Sequence, residues 1–444
     1  MRRPKPINAD LPETPEEEPS KPEPAGDVDE GQPLLLSSPP SRRQPKPLTP
    51  KLLALLALLA VGLIVAAILG GTGGGGEDTT STASPPVAAS GGDSGTGSED
   101  LGYPAFATSN TTRIGGSDAA EIAAAAALTA YPSTTAAQRP ALVTLVAEED
   151  WAGAIAAAVL MAEPVRAPLL VSGPGEVPGP TGEALAALAP TGEKRIAGAS
   201  VVAVGAALAP GDLAAESIPA GNGAEEAAAI AALRDRAFGT PPRHVVIAPL
   251  SRPQLAMPAA AWAARSGDPV LFAEAGKLPK ATERALRRYK DIPAYVLGPS
   301  SAISPGVLSR IGKLSGKVRR IAGKDPVANA LAFARYGDAS FGWDVNDPGH
   351  GFVLARDTEP LVAGAVAALS GSGTWGPLLL TDSPTKLPAE LRDYFLDVKP
   401  GYTDNPTRAF YNHVWVVGDE EAIDVNQQAE VNELAELAKI GGGE

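Results

Sequence analysis

Six arginines are the residues of this 444-residue chain whose type and spacing best suit the binding of an anion. The planar guanidinium group forms paired hydrogen bonds with phosphate and carboxylate groups. Three of the six follow the spacing i, i+3, i+4 in a predicted helix and share one face of it. The candidates are Arg113, Arg284, Arg287, Arg288, Arg319 and Arg320. The pattern indicates local contacts with an anionic partner.

The same arginines have ordinary interpretations, and these stay open. Arg284, Arg287 and Arg288 could form a solvated charged face, which is the commoner use of such a cluster. Arg113 and Arg320 could pair with an acid of a neighbouring repeat. The basic cluster also contains Lys290, Lys313, Lys317 and Lys324. The formal net charge of −14 argues against a general nucleic-acid binder, so we expect no nucleic-acid partner.

Three polar residues occupy equivalent places at the starts of predicted helices. Asp118, Asn222 and Asp325 could line a binding cleft, but they could also cap the helices that follow them. Asp118 and Asn222 each precede a glutamate by three residues, and Asp325 precedes a proline. These are spacings of capping motifs, so we favour capping.

The sequence offers little support for catalysis. His244, His350 and His413 match no familiar triad or metal spacing, and the chain has no cysteine. The polar segment 344–350 lacks the length and final glutamate of a calcium loop, so we interpret it as a turn. No G-x-G-x-x-G motif follows a predicted strand, which argues against a dinucleotide. We therefore expect no catalytic residues, no metal and no cofactor.

The elements that position these residues occur three times. A proline followed by an apolar run appears at Pro168, Pro269 and Pro377, and a second proline follows each run after 10 or 11 residues. Each repeat opens with an isoleucine in a turn-like segment before a helix, and these isoleucines are 104 and 103 residues apart. This period indicates three copies of a small α/β unit.

The predicted strands are continuous apolar runs and alternate with alanine-rich helices. This pattern is typical of parallel sheets covered by helices on both faces. The fold class is therefore α/β, with three tandem Rossmann-like βαβαβ modules. The predicted strands are 141–147, 168–171, 201–204, 244–248, 270–272, 294–297, 351–355, 378–380 and 414–417.

The first hundred residues have a different character. Residues 1–50 are rich in Pro and Glu and should form a disordered tail. The apolar run from Leu52 to Leu69 is long enough to cross a lipid bilayer within a membrane segment 51–70. Basic residues precede this run, so we expect a cytoplasmic N-terminus and a single-pass membrane protein. Residues 71–102 are rich in Gly and Ser and read as a flexible linker.

The three copies resemble the cell-wall-binding repeat type 2 family. The motifs are the R-I-x-G opening, the Pro-apolar strand and a closing V-x-G strand, and the resemblance runs from about Thr111 to Ile440. It implies repeats at 103–212, 213–316 and 317–444, packed about a pseudo-threefold axis outside the membrane. It also implies non-covalent attachment to anionic cell-wall polymer of Gram-positive bacteria.

The departures from the family motivate an alternative. The middle opening has Ser217 in place of arginine, and the Arg-Tyr and Asp-Ala-Leu signatures of the family are absent. A chain that kept the fold and lost polymer binding would act as a protein-interaction scaffold of the cell envelope.

Overall fold

The computed structural model describes residues 106–440 except 174, 372 and 374. The tail, membrane segment and linker predicted for 1–102 lie outside the described residues. None of the helices that the structure describes is long and apolar enough to cross a bilayer.

Three sheets of parallel strands form the body of the protein, which confirms the α/β class. The first sheet, in module 1, has the order β4-β3-β5-β6. Strand β3 lies between β4 and β5 in this sheet. The chain therefore crosses to one side of β3 to form β4 and then to the other side to form β5. The elements are β3 Val143–Ala147, α2 Trp151–Ala157, β4 Leu169–Ser172, α3 Gly179–Leu188, β5 Val201–Gly205 and β6 Ala215–Pro219.

Module 2 repeats this plan with the order β8-β7-β9-β10. Its strands β7, β8 and β9 are buried along their whole length, as expected for a sheet covered on both faces. The elements are α4 Gly223–Phe238, β7 Val245–Pro249, α5 Pro253–Ala256, α6 Pro258–Ser266, β8 Val270–Ala273, α7 Lys280–Arg288, β9 Ala294–Leu297, α8 Pro305–Gly312 and β10 Val318–Ile321.

Module 3 has the order β12-β11-β14-β2-β1, in which β1 is an antiparallel edge strand. The paired strands β14 and β2 come from opposite ends of the described chain. The elements are β1 Phe106–Ala107, β2 Thr111–Ile114, α9 Pro326–Arg335, β11 Gly351–Arg356, α10 Pro360–Val366, β12 Trp375–Thr381, α11 Ala389–Asp397, β13 Gly401–Tyr402, β14 His413–Val417, α12 Val425–Ala435 and β15 Ala438–Lys439. The helix that follows β2, α1 Ala119–Ala130, packs instead against β4 and α3 of module 1.

The repeat openings were expected to be turns, but each contains a strand. β2, β6 and β10 each form the fourth parallel strand of the sheet that belongs to another repeat. Ile218 of β6 pairs with Val204 of module 1, and Ile114 of β2 pairs with Val417 of module 3. The recurring isoleucine therefore marks a strand end, and the first opening closes the chain onto the last module.

The centre of the body is built from the three crossover helices α2, α6 and α10. Each pair of these helices is in contact, and 3₁₀ turns at Ala158–Met161 and Ala367–Ser370 extend α2 and α10 into the same centre. Small side chains allow the close approach: a Cβ added to Gly364 would lie 2.6 Å from the carbonyl carbon of Ala154. All three modules thus share one core.

Candidate functional site

Arg113 is buried within the protein and is not available to a ligand. Its side chain is 3% exposed, and it lies on β2 inside the sheet of module 3. The guanidinium group donates to the carbonyl oxygens of Gly418, Asp419 and Ile423 at 2.7–2.9 Å. It also donates twice to the amide oxygen of Gln428, at 2.7 and 3.0 Å. Burial lowers its pKa, although three nearby acids oppose this.

Arg320 repeats this arrangement in module 2. It donates to the carbonyl oxygens of Gly298 and Ile303, both at 2.6 Å. These carbonyls belong to the loop before α8, as those of Gly418 and Ile423 belong to the loop before α12. Module 1 has no helix between β5 and β6, and its opening strand has Ser217 at this place. The arginine is thus a structural pin: Arg113 and Arg320 both bind backbone carbonyl groups, and neither forms an ion pair with another described residue.

The remaining basic residues do not gather into one binding surface. Arg288 contacts Asp235 at 3.3 Å, Arg319 lies 3.9 Å from Asp338, and Lys324 pairs with Glu390. Arg284 and Arg287 point from α7 into solvent, without an ion pair to another described residue. They remain a candidate charged face, separate from the pinned arginines.

The helix-start residues are caps, as predicted. The carboxylate of Asp118 accepts from the backbone N–H groups of Ala120 and Glu121, at 2.8 and 2.9 Å. Asn222 and Glu225 form a reciprocal capping box. Asp325 accepts from the N–H of Ala328 at 2.8 Å. Their side chains serve the helices that follow them.

The feature with the character of a binding site is a groove where the three modules meet. We call it the inter-module groove. It consists of cavities of about 740 and 220 Å³ that share Glu163, Gly371 and Trp375 as walls. Its aromatic lining residues are Tyr131, Phe238, Trp262, Trp343, Trp375 and Trp415. Because the residues come from all three modules, the groove exists only in the assembled fold.

Hydrogen-bond donors without partners lie on the walls of this groove. The indole nitrogens Nε1 of Trp343 and Trp415 are buried and have no partner among the described residues. The hydroxyl of Thr129, a residue that lines the smaller cavity, is also buried and has no partner among the described residues. Unpaired buried polar groups are costly, so these three atoms are exceptions to the usual pairing of buried polar groups.

The groove is locally cationic although the chain is acidic. Four arginines and two carboxylates line its described part. Arg234 is committed to the backbone and to the ring of Phe238, and Arg166 pairs with Glu163 at 3.3 Å. Arg243 and Arg265 are exposed and form no ion pair with another described residue. These two guanidinium groups are therefore open to an anionic ligand.

The three histidines, which match no familiar triad or metal spacing in the sequence, lie in different surroundings. His413 is a half-buried strand residue whose Nε2 lies 2.9 Å from the hydroxyl of Thr112, and burial lowers its pKa. His350 lines the groove and lies 3.2 Å from Asp347. His244 also lines the groove, with Nδ1 3.0 Å from Asp268 and Nε2 3.2 Å from Ser340. Within the described residues, no cluster of three or more metal-ligating side chains occurs.

A second cleft holds a pair of carboxyl groups at the carboxyl end of the module 1 sheet. Asp150 caps α2, and Glu226 on α4 accepts from the N–H of Gly221 at 2.9 Å. Burial raises the pKa of both groups, and the proximity of Asp150 contributes to the pKa of about 7 for Glu226. The two carboxyl groups therefore favour sharing a proton near neutral pH.

None of the six predicted arginines lines the described part of the groove. The residues that do were missed because they are scattered from Tyr131 to Trp415. Trp343 and Trp375 each lie next to glycines in loop or strand-edge segments of the third repeat. A tryptophan next to glycines was therefore the sequence pattern that could have indicated these lining residues.

No protein-family model matches the chain, and no curated protein matches it. Solved structures with a similar fold include two from Clostridium difficile. Cwp6 from Clostridium difficile aligns with a TM-score of 0.57 and 16% identity, over 73% of this chain and 47% of its own. Cwp8 from the same organism aligns with a TM-score of 0.52 and 16% identity, over 73% of this chain and 52% of its own. This chain thus spans about half the length of each, and the likeness establishes the fold.

Proposed function

We propose that this chain is an extracytoplasmic cell-wall-binding protein that attaches non-covalently to an anionic cell-wall polymer. The similar solved structures are cell wall proteins of Clostridium difficile, which supports a role in the envelope. Because identity to them is low, the ligand must be argued from the residues of this chain.

The observation that carries the proposal is the inter-module groove. Two adjoining cavities with shared walls offer room for more than one unit of a chain-like ligand. Aromatic rings offer apolar faces on which sugar rings stack. Arg243 and Arg265 supply local positive charge, so binding does not need long-range attraction to an acidic protein.

The predicted membrane segment completes this proposal. A helix from Leu52 to Leu69 would hold the modules at the bilayer surface, and the linker 71–102 would let them reach the wall. This arrangement gives a cytoplasmic N-terminus and extracytoplasmic repeats.

Sedimentation with purified cell walls tests the proposal. The protein should pellet with intact walls and stay in solution with walls from which anionic polymer has been extracted. Raised salt should weaken the pelleting, because the contacts are partly ionic. Equal pelleting with both wall preparations, or with neither, would refute polymer binding.

A protein-interaction scaffold is the second candidate, and an exposed aromatic pair favours it. Phe410 and Tyr411 are 70% and 55% exposed in the loop before β14. Exposed aromatic side chains are common anchors of protein interfaces. Crosslinking in intact envelopes that recovers one stoichiometric protein, and no glycopolymer, would favour this function.

A further inference from the structure

The larger cavity of the inter-module groove contains a serine, a histidine and an aspartate in hydrogen-bonding sequence. Ser340 Oγ lies 3.2 Å from His244 Nε2, and His244 Nδ1 lies 3.0 Å from Asp268 Oδ2. All three residues line the cavity. This is the connectivity of a nucleophile, a general base and the carboxylate that orients the base.

The carboxylate of Asp268 is held in a fixed position. The residue is 2% exposed, and its Oδ1 accepts from the backbone N–H of His244 at 3.0 Å. Its Oδ2 accepts from the indole N–H of Trp262 at 3.1 Å. A carboxylate placed in this way favours the tautomer of His244 with a proton on Nδ1. The unprotonated Nε2 then faces the hydroxyl of Ser340.

The hydroxyl of Ser340 has a competing acceptor in Asp338, and it also lies close to the hydroxyl of Tyr295. Asp338 Oδ1 lies 3.3 Å from the hydroxyl of Ser340, but this oxygen already accepts from the backbone N–H groups of Ser340 and Phe341, both at 3.0 Å. Burial tends to raise the pKa of Asp338, but hydrogen bonds from Tyr295, these two amides and Tyr336 outweigh it and hold the pKa below its usual range. Asp338 therefore fixes the loop, and the hydroxyl proton is free to turn to His244.

We propose that Ser340, His244 and Asp268 form a serine acyl-transfer site that hydrolyses esters bound in the inter-module groove. Ser340 Oγ attacks the ester carbonyl carbon while its proton passes to His244 Nε2. The carbon–oxygen bond to the alcohol breaks, and His244 returns the proton to the departing alcohol. Water then attacks the acyl-serine and gives a proton to His244 Nε2. The bond between the acyl carbon and Ser340 Oγ breaks, His244 returns the proton to Oγ, and the carboxylic acid is released. This activity was not expected from the sequence, which showed no triad spacing.

The substrate class follows from the donors near the hydroxyl. The N–H groups of Ser340 and Phe341 are both bound to Asp338, so they cannot stabilise an oxyanion. Exposed donors on the cavity wall include the guanidinium groups of Arg243 and Arg265. An ester is more reactive than an amide and has a better leaving group, so it suits a site with few prearranged donors. The exposed arginines favour esters carried on an anionic molecule.

The test uses the purified full-length chain with p-nitrophenyl acetate and with a fluorophosphonate probe. We expect hydrolysis of the ester and covalent labelling of Ser340, identified by mass spectrometry. Ser340→Ala should abolish the labelling and lower the hydrolysis rate about 100-fold, the usual scale for losing such a group. Ser309→Ala, at an exposed serine of α8 outside the groove, should leave both unchanged.

Variants of the partners separate a catalytic from a structural role. His244→Gln should lower hydrolysis as strongly as Ser340→Ala. Asp268→Asn should lower kcat with little change in KM, since Asp268 is a positioning residue. If the wild type is not labelled, or if Ser340→Ala hydrolyses the ester at the wild-type rate, the proposal is wrong. Ser340→Ala should still pellet with cell walls, so failure here is distinguishable from failure of wall binding.

Discussion

At the residue scale, Glu226 occupies a place that an uncharged side chain fills in the next module. Asn329 lies at the equivalent position of α9, fully buried, and accepts from the N–H of Gly323 at 3.2 Å. Glu226 accepts in the same way from Gly221, but its carboxyl group also faces Asp150. Asp150 Oδ2 has no hydrogen-bond partner among the described residues. The two groups therefore avoid mutual repulsion only when one of the two carboxyl groups carries a proton.

This pair should make folding stability depend on pH. The folded pKa of Glu226, about 7, lies above the ordinary value of about 4.3 for the unfolded chain. The folded state then holds the extra proton, so the contribution is complete below the unfolded pKa and is lost as pH rises through 7. Glu226→Gln should flatten this loss and stabilise the protein at pH 8 by about 1 kcal/mol, after allowance for solvent screening.

Thermal unfolding at pH 5 and pH 8 checks this prediction. Glu183→Gln, at an exposed position of α3, is the matched control and should behave like the wild type. An unchanged pH dependence in Glu226→Gln would show that the carboxyl pair does not share a proton.

At the scale of elements, the opening strands and the crossover helices hold the modules together. β2 brings Arg113 into module 3, where its guanidinium group fills carbonyl and amide acceptors in the last loop and helix. Gly364 of α10 lies against the backbone of α2 in module 1. The two ends of the described chain and the central helices are thus joined by specific residues.

Loss of the hydrogen bonds of Arg113 should lower the free energy of unfolding strongly. Arg113→Met removes the hydrogen bonds and leaves buried acceptors unpaired, so we expect a loss of about 3–5 kcal/mol. Arg284→Met, on the exposed face of α7, should change stability by less than about 0.5 kcal/mol. Urea unfolding monitored by tryptophan fluorescence measures both. Equal stabilities of the two variants would contradict the pinning role.

The helix contact at Gly364 makes a separate prediction. Gly364→Val should destabilise by about 1–3 kcal/mol or more, since the new side chain overlaps the backbone of Ala154. Gly182→Val is the control, because Gly182 lies in α3 with open space around its Cβ position. Calorimetric melting of both proteins tests this. A Gly364→Val protein as stable as the Gly182→Val protein would mean that the helices are not closely packed.

The sequence predicted the buried strands well because their apolar runs need no knowledge of partners. It failed at the openings: β10 reads Val-Arg-Arg-Ile, and this edge strand accommodates its charges because Arg319 is exposed and Arg320 binds backbone carbonyl groups. The placement of β2 depends on pairing Ile114 with Val417, a contact between distant parts of the chain. The groove and the array of His244, Asp268 and Ser340 were not predicted for the same reason, because their residues are far apart in the sequence.

At the scale of the whole molecule, the three modules enclose a groove that no single module could form. The charge of the chain is negative, but the exposed guanidinium groups of Arg243 and Arg265 face this groove. The exposed Arg284 and Arg287 of α7 lie outside its described walls. The two pairs of arginines carry the same charge but lie inside and outside the groove. Variants of the two pairs therefore separate the effect of position from the effect of charge.

The most direct measurement is the affinity for isolated anionic wall polymer of the wild type and two double variants. If the groove binds the polymer, Arg243→Gln with Arg265→Gln should raise Kd about tenfold or more, because two charge-assisted contacts are lost. Arg284→Gln with Arg287→Gln should leave Kd unchanged. Weakened binding in the α7 variant together with wild-type binding in the groove variant would contradict the account.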